Sequence, residues 1–259
     1  MINVWLTLPI PEQFLTLTGI YTASASLLIL LCYNRVSGPW VQSFNGVVAP
    51  FFAGIVTILG ILIGFLASDV WDRDRRAAAA VKNEAAALVS LYEIVGASGI
   101  QSGDLNLAIR NYASAVVERE WPTMENGEAA SEAETAQDLL FETVVYHEPA
   151  SNRGTTLDRL LLDIVLKVQE ARSERLTLSA DYSENFKWTC VLVFALIGQI
   201  SLALVHLERA RPQIAAMAVF TASIVAVIGV IAIHESPFSP PLRVSPAPIA
   251  AILKLVPDH

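Results

Sequence analysis

The sequence predicts an all-α membrane protein in which four transmembrane helices, arranged two and two, enclose a helical cytosolic domain between the second and third. Three observations carry this expectation. Four apolar stretches come close to or exceed the roughly 20 residues a helix needs to cross a hydrocarbon core of about 30 Å. A long charged segment of helix-forming composition separates the second stretch from the third. Across 259 residues, 54% hydrophobic content and a mean hydropathy of +0.50 are too apolar for a soluble protein, while 16% charged residues are too many for spans alone. The expected divisions are 1–70 for the N-terminal segment with spans one and two, 71–187 for the cytosolic domain, 188–234 for spans three and four, and 235–259 for a cytosolic tail.

The first span covers Phe14 to Tyr33. No Lys or Arg precedes it, so it lacks the charged start of a secretory signal and is expected to be retained. A short outer loop with Gly38, Pro39 and Trp40 leads to the second span, Val47 to Val70, whose single ionisable group, Asp69, lies at its end. No Gly or Pro follows until Gly96, so the second helix is expected to leave the bilayer and continue into water. Gly96, Gly99 and Gly103 supply its stop, with Ser102 or Asp104 to cap the next helix.

That next helix carries Leu107, Tyr112, Ala115, Val116 and Arg119, and ends on Trp121 before Pro122, with Trp121 expected in the core. Glu118 and Glu120 are adjacent acids of the kind that usually lie on a solvated face. After a turn at Asn126 and Gly127, an acidic helix with an apolar end follows, closed by Pro149 and Gly154. From Thr155, a weak cap with Asp158, apolar positions at Leu157, Leu160, Leu161, Ile164, Val165, Val168 and Ala171 predict a helix that runs on into the third span. The third and fourth spans cover Trp188 to Val205 and Ile214 to Ile233.

Charge sets orientation and narrows function. Basic residues near the span ends favour the side that holds the termini and the 71–187 segment, including Arg172 and Arg175, over the side with Arg35, Arg209 and Arg211. That side is expected to be cytoplasmic, with Trp71 and Trp188 as interfacial anchors at the inner ends of spans two and three. The 71–187 segment has twenty acids against twelve bases, which accounts for the whole net charge of −8 and disfavours nucleic-acid binding. Cys32 and Cys190 fall near opposite membrane faces and are expected to stay unpaired. The four histidines, His147, His206, His234 and His259, have no metal-ligand spacing, and no nucleophile or phosphate-loop motif occurs, so neither an enzyme nor a metal site or cofactor is expected.

The second span has faces that differ in residue size. At 100° per residue, Gly54, Thr57, Gly60, Ile61, Gly64 and Phe65 share one arc, opposite Val48, Phe52, Ile55, Leu59, Leu62 and Leu66. Glycine costs helix stability, so Gly54, Gly60 and Gly64 on one side imply either close approach of another helix or a lining that must stay narrow. The bulky arc is expected to meet lipid or outer helices.

The stretch GFLASDVWDRDRRAAAAV resembles the bestrophin ion channels, where Gly-Phe near the inner end of span two precedes an aromatic-Asp-Arg motif; here these are Gly64, Phe65, Trp71, Asp72 and Arg73. A second likeness follows span four, an acid shortly before Pro-Phe, at Glu235, Pro237 and Phe238. NEAAALVSLY and YASAVVEREWPTM are similar to a bacterial membrane family of unknown function that is itself described as bestrophin-like, and this likeness covers most of the chain. The resemblance implies a homopentameric channel in a bacterial inner membrane, usually selective for chloride or another small anion, with membrane lipid and small inorganic ions as its partners. It also implies a central pore lined by span two, whose neck would be Thr57, Ile61 and Phe65. Thr57 departs from the apolar residue favoured there, and its hydroxyl can bond back to a helix carbonyl or face a wet pore. No acidic run follows Phe238, so no calcium clasp is expected. A non-conducting scaffold with a helical docking domain is the alternative, and a transporter is disfavoured because charged mid-span residues and repeated broken helices are lacking.

Overall fold

The computed structural model describes residues 2–98, 103–146, 154–180, 185–240 and 242–256. Among them the regular structure is helical. The elements are α1 (Ile2–Leu6), α2 (Ile10–Tyr33), α3 (Gly38–Gln42), α4 (Ala49–Ser98), α5 (Gly103–Ala115), a π-helical segment (Val116–Glu120), α6 (Trp121–Thr123), a 3-10 turn (Met124–Asn126), α7 (Ser131–Val145), α8 (Gly154–Ala180), α9 (Asn185–Val205), α10 (Ala210–Ile233), α11 (Ala247–Ala250) and α12 (Ile252–Leu255). Four helices are long and apolar enough to cross a membrane. Of the three glycines expected to end α4, Gly96 lies inside the helix, which runs on to Ser98, and Gly103 opens α5. Gly99, Ser102 and the continuation of α8 into the third span fall at 99–102 and 181–184, outside the described residues. Pro149, His147 and His259 also lie outside them.

The chain divides into two compact units, Met1–Trp71 with Tyr182–Glu235, and Asp72–Asp181 with Ser236–His259. In the first unit α2, α9, α10 and the first half of α4 pack through Leu17, Tyr21, Leu59, Leu66, Val191 and Ile228. Spans packed in lipid gain little from apolar burial alone, so close contact and hydrogen bonds decide how they associate. Both occur here. A Cβ on Gly229 of α10 would lie 2.3 Å from the Phe14 ring of α2, and one on Gly198 of α9 would lie 2.8 Å from the Phe220 ring of α10. Gln199 Nε2 on α9 donates to the Tyr21 carbonyl at 3.0 Å and to Thr221 Oγ1 at 2.8 Å, joining three helices, while Tyr21 Oη donates to the Leu192 carbonyl at 3.1 Å.

Trp188, expected at the lipid–water interface, is instead buried, edge-to-face on Trp5 at 5.5 Å between ring centroids. Gln13 donates to the carbonyls of Leu6 and Leu8, tying off the end of α1 and holding Trp5 in that position. Cys32 and Cys190 are free thiols.

In the second unit the core joins the charged half of α4, α5, α7, α8 and the C-terminal turns through Leu88, Leu91, Ile109, Tyr112, Leu140, Val165, Val168 and Ile252. On α8 the expected apolar positions Leu161, Ile164, Val165, Val168 and Ala171 are buried, whereas Leu160 is exposed. Trp121 is buried as expected, against Phe238 at 5.8 Å. Gly127 turns the chain with φ of 72°, a conformation that costs a residue with a Cβ about 1–2 kcal/mol.

Candidate functional site

The two faces of α4 have opposite surroundings. Leu59 and Leu66 of the bulky arc are almost fully covered by the other helices of the first unit, whereas Ile61 is 54% exposed and Phe65 67% exposed. Thr57, Gly54, Gly60 and Gly64 are exposed on the same side. Among the described residues, a Cβ added to Gly54, Gly60 or Gly64 would meet nothing within 4 Å, so these glycines do not admit a neighbouring described helix of the same chain. Thr57 Oγ1 donates to the Ala53 carbonyl at 2.8 Å, so its hydroxyl is satisfied within α4 and presents its methyl group and oxygen lone pairs outward.

The motif residues are distributed around this helix and the chain after α10. Trp71 is partly exposed, edge-to-face with His234 at 6.1 Å. Asp72 is exposed and accepts from Arg75 at 3.1 Å and Arg76 at 3.5 Å, one helical turn on. Arg73, Glu235, Pro237 and Phe238 are buried. Asp69, the one ionisable group of the second span, pairs with Lys187 at the start of α9. Among the described residues no group of His, Cys, Asp and Glu is arranged to hold a metal.

The most concentrated chemistry of the molecule escaped the reading of the sequence. Glu120, read there as a solvated acid, is fully buried, and only Glu118 is exposed. Arg175 on α8 donates through Nε to Glu84 Oε2 at 2.6 Å and through Nη2 to Glu120 Oε2 at 2.8 Å. Arg172, one turn earlier, donates through Nη2 to Glu120 Oε1 at 2.5 Å and through Nη1 to Gln137 Oε1 at 2.8 Å. Tyr112 Oη closes the cluster with a 2.6 Å bond to Glu84 Oε1. Two carboxylates and two guanidiniums therefore balance inside the second unit, and Arg172 and Arg175 do not serve as membrane-surface cations.

The π segment places one end of this cluster. Its wider turn advances less per residue than an α-turn, which brings both Glu120 and Trp121 to the side already occupied by Tyr112 and Val116. The Trp121 ring lies 5.5 Å from the Arg175 guanidinium carbon. Burial by itself would lower the Arg175 pKa, but Glu84, Tyr112 and Glu120 outweigh it and hold the pKa above the ordinary arginine value, so the side chain stays charged. Burial, followed by the Glu84 charge, pushes Tyr112 well above the usual phenol range.

The fold is that of a four-span helical membrane protein with a helical unit inserted between its second and third spans. The chain belongs to the bestrophin-like family, whose domain model matches residues 19–249. Two solved structures share the fold. A bacterial bestrophin homologue from Klebsiella pneumoniae with a single isoleucine-to-threonine substitution superposes with a TM-score of 0.70 at 9% identity, over 94% of this chain and 99% of that one. A crystal structure described as a membrane protein with a proline-to-alanine substitution gives 0.72 at 10% identity, over 94% and 97%. No curated protein matches by sequence.

Proposed function

We propose that the chain is one subunit of a homo-oligomeric ion channel, pentameric by family resemblance, whose pore is lined by the exposed arc of α4 and passes chloride or another small anion. The observation that carries this reading is the pairing of Ile61 and Phe65 with three glycines on a face of α4 that has no partner among the described residues of its own chain. Glycine facing hydrocarbon costs helix stability without a packing return, whereas glycine between constricting side chains keeps a pore wall narrow. Ile61 and Phe65 form the apolar constriction, which gates by dewetting, and Thr57 adds one hydroxyl at its other end.

The membrane is a bacterial inner membrane with both termini cytoplasmic. Arg75, Arg76 and Lys82, all exposed beyond the span, support that orientation. The test is reconstitution of the full chain in planar bilayers under a KCl gradient. Discrete currents with a reversal potential near that of chloride support the reading. A reversal potential near that of potassium overturns the anion assignment, and silence from intact oligomers overturns the channel in favour of a scaffold.

A further inference from the structure

Arg209 and Arg211 run against the charge bias that orients the chain, and neither the pore reading nor the packing of the spans uses them. Both are exposed, Arg209 as the N-cap of α10 and Arg211 in its first turn, and among the described residues neither has a carboxylate partner. Arg35 belongs to the same end of the first unit, because Tyr33 Oη at the end of α2 donates to the Leu207 carbonyl just before α10. Glu208 is the one acid in 34–48 and 206–213, leaving an excess of two positive charges.

A groove of about 610 Å³ between α2 and α10 begins at this end. Its walls are regular: Thr22 and Ser26 on α2 face Ala218 and Ala222 on α10, all exposed, over a floor of Met217 and Thr221. Phe14, pressed against Gly229, closes the far end. Among the described residues, no charged side chain lines the groove. From Ile214 to Ala226 it follows α10 for about 18 Å at 1.5 Å per residue. One leaflet of hydrocarbon is about 15 Å deep. A cationic mouth at the start of a span, leading into an apolar channel one leaflet deep, has the polarity and length of a single phospholipid.

We propose that this groove is a binding site for an anionic phospholipid, with one acyl chain lying between α2 and α10 and the phosphate received by Arg211. Helical side chains lean toward the N-terminus, so the Arg211 guanidinium points out of the hydrocarbon to the level where a headgroup phosphate lies. Arg209 and Arg35 add to the attraction for a net negative headgroup. The small side chains on both walls leave the width of one chain, and the hydroxyls of Thr22 and Ser26 are free to bond their own helix carbonyls.

The test uses the full-length oligomer equilibrated in vesicles of phosphatidylcholine containing phosphatidylglycerol, extracted gently, with retained lipid identified by native mass spectrometry. Wild type is expected to keep phosphatidylglycerol over phosphatidylcholine. Arg211→Gln should lower that preference by about fivefold, the effect of one cation at a membrane surface. Ala222→Phe should remove the retained lipid regardless of headgroup, and Ser26→Leu fills the groove from the other helix should Ala222→Phe fail to fold. Equal retention by wild type and the filled variants overturns the proposal. So does retention without headgroup preference, or loss of the oligomer in the filled variants with lipid unchanged, which would make a second copy of the chain the occupant.

Discussion

Arg175 and Glu84 face each other with no exposure to solvent, joined by a 2.6 Å bond from Nε to Oε2 and a 3.0 Å bond from Nη2 to Oε1. The two-pronged geometry fixes α8 against α4 in one register, because a shift of either helix by one residue would separate two charges in a medium that cannot solvate them. Removing one partner of a buried pair is costly, so Glu84→Gln should destabilise the protein by about 3 kcal/mol. The double variant Glu84→Leu with Arg175→Met should recover part of that loss, since Glu120 and Arg172 remain a matched pair while Tyr112 Oη loses its acceptor. Thermal unfolding in detergent, compared across Glu84→Leu, Arg175→Met and the double, checks this coupling.

Tyr112 extends the cluster and gives it a pH dependence at the alkaline end. Its pKa in the fold is raised above the roughly 10 of an unfolded chain, first by burial and then by the Glu84 charge. The stability linked to this group is therefore fully present below pH 10 and falls as the pH rises beyond it, because only the unfolded chain releases the proton there. Tyr112→Phe should cost about 1–3 kcal/mol near neutrality, by removing one of the two donors to the charged Glu84 Oε1, which keeps only Arg175 Nη2. The same variant should lose less further stability between pH 10 and 11 than wild type, as measured by unfolding midpoints across that range.

These charges show where the reading of the sequence worked and where it failed. The spans were legible because about 20 consecutive apolar residues have few other uses. The helices of the second unit were legible from their period. Glu120 was misplaced because its type was allowed to outweigh its position: Leu105, Ile109, Tyr112, Val116 and Glu120 form one stripe, and that stripe is buried. Glu84 shares the stripe of Ala77, Val81, Leu88 and Leu91, and Arg172 and Arg175 share that of Leu161, Val165 and Val168. A charge on each of three apolar stripes was a readable sign of a buried network. The π segment had no such sign, since a single i→i+5 turn shifts the register by only one residue. Trp188 was misread for the opposite reason, because a tryptophan at a span end suits both an interface and a packed corner.

Gly127 is a position where the backbone demands glycine. With φ at 72° and a would-be Cβ 3.0 Å from the Ala180 Cα, a side chain meets both strain and contact with backbone that cannot rotate away. Gly127→Ala should lower stability by at least the roughly 1–2 kcal/mol of the left-handed conformation. An unfolding midpoint equal to that of wild type would show that the turn relaxes freely.

The two arcs of α4 allow stability and conduction to be separated on a single helix. Leu59 is 1% exposed and packs in the core of the first unit, so Leu59→Ala should lower stability by about 2–5 kcal/mol through the cavity it leaves. Phe65, six residues on and facing away, touches little of its own chain, so Phe65→Ala should leave the unfolding midpoint of the dissociated subunit nearly unchanged. If Phe65 and Ile61 constrict a pore, Phe65→Ala and Ile61→Ala should raise conductance or leak in planar bilayers, and Phe65→Ala with Ile61→Ala should raise it further. A scaffold predicts the reverse pattern, in which Phe65→Ala weakens association between subunits while the bilayer stays silent. The decisive comparison is current against oligomer content for Phe65→Ala: more current from intact oligomers supports a constriction, and fewer oligomers with no current places Phe65 in a subunit contact.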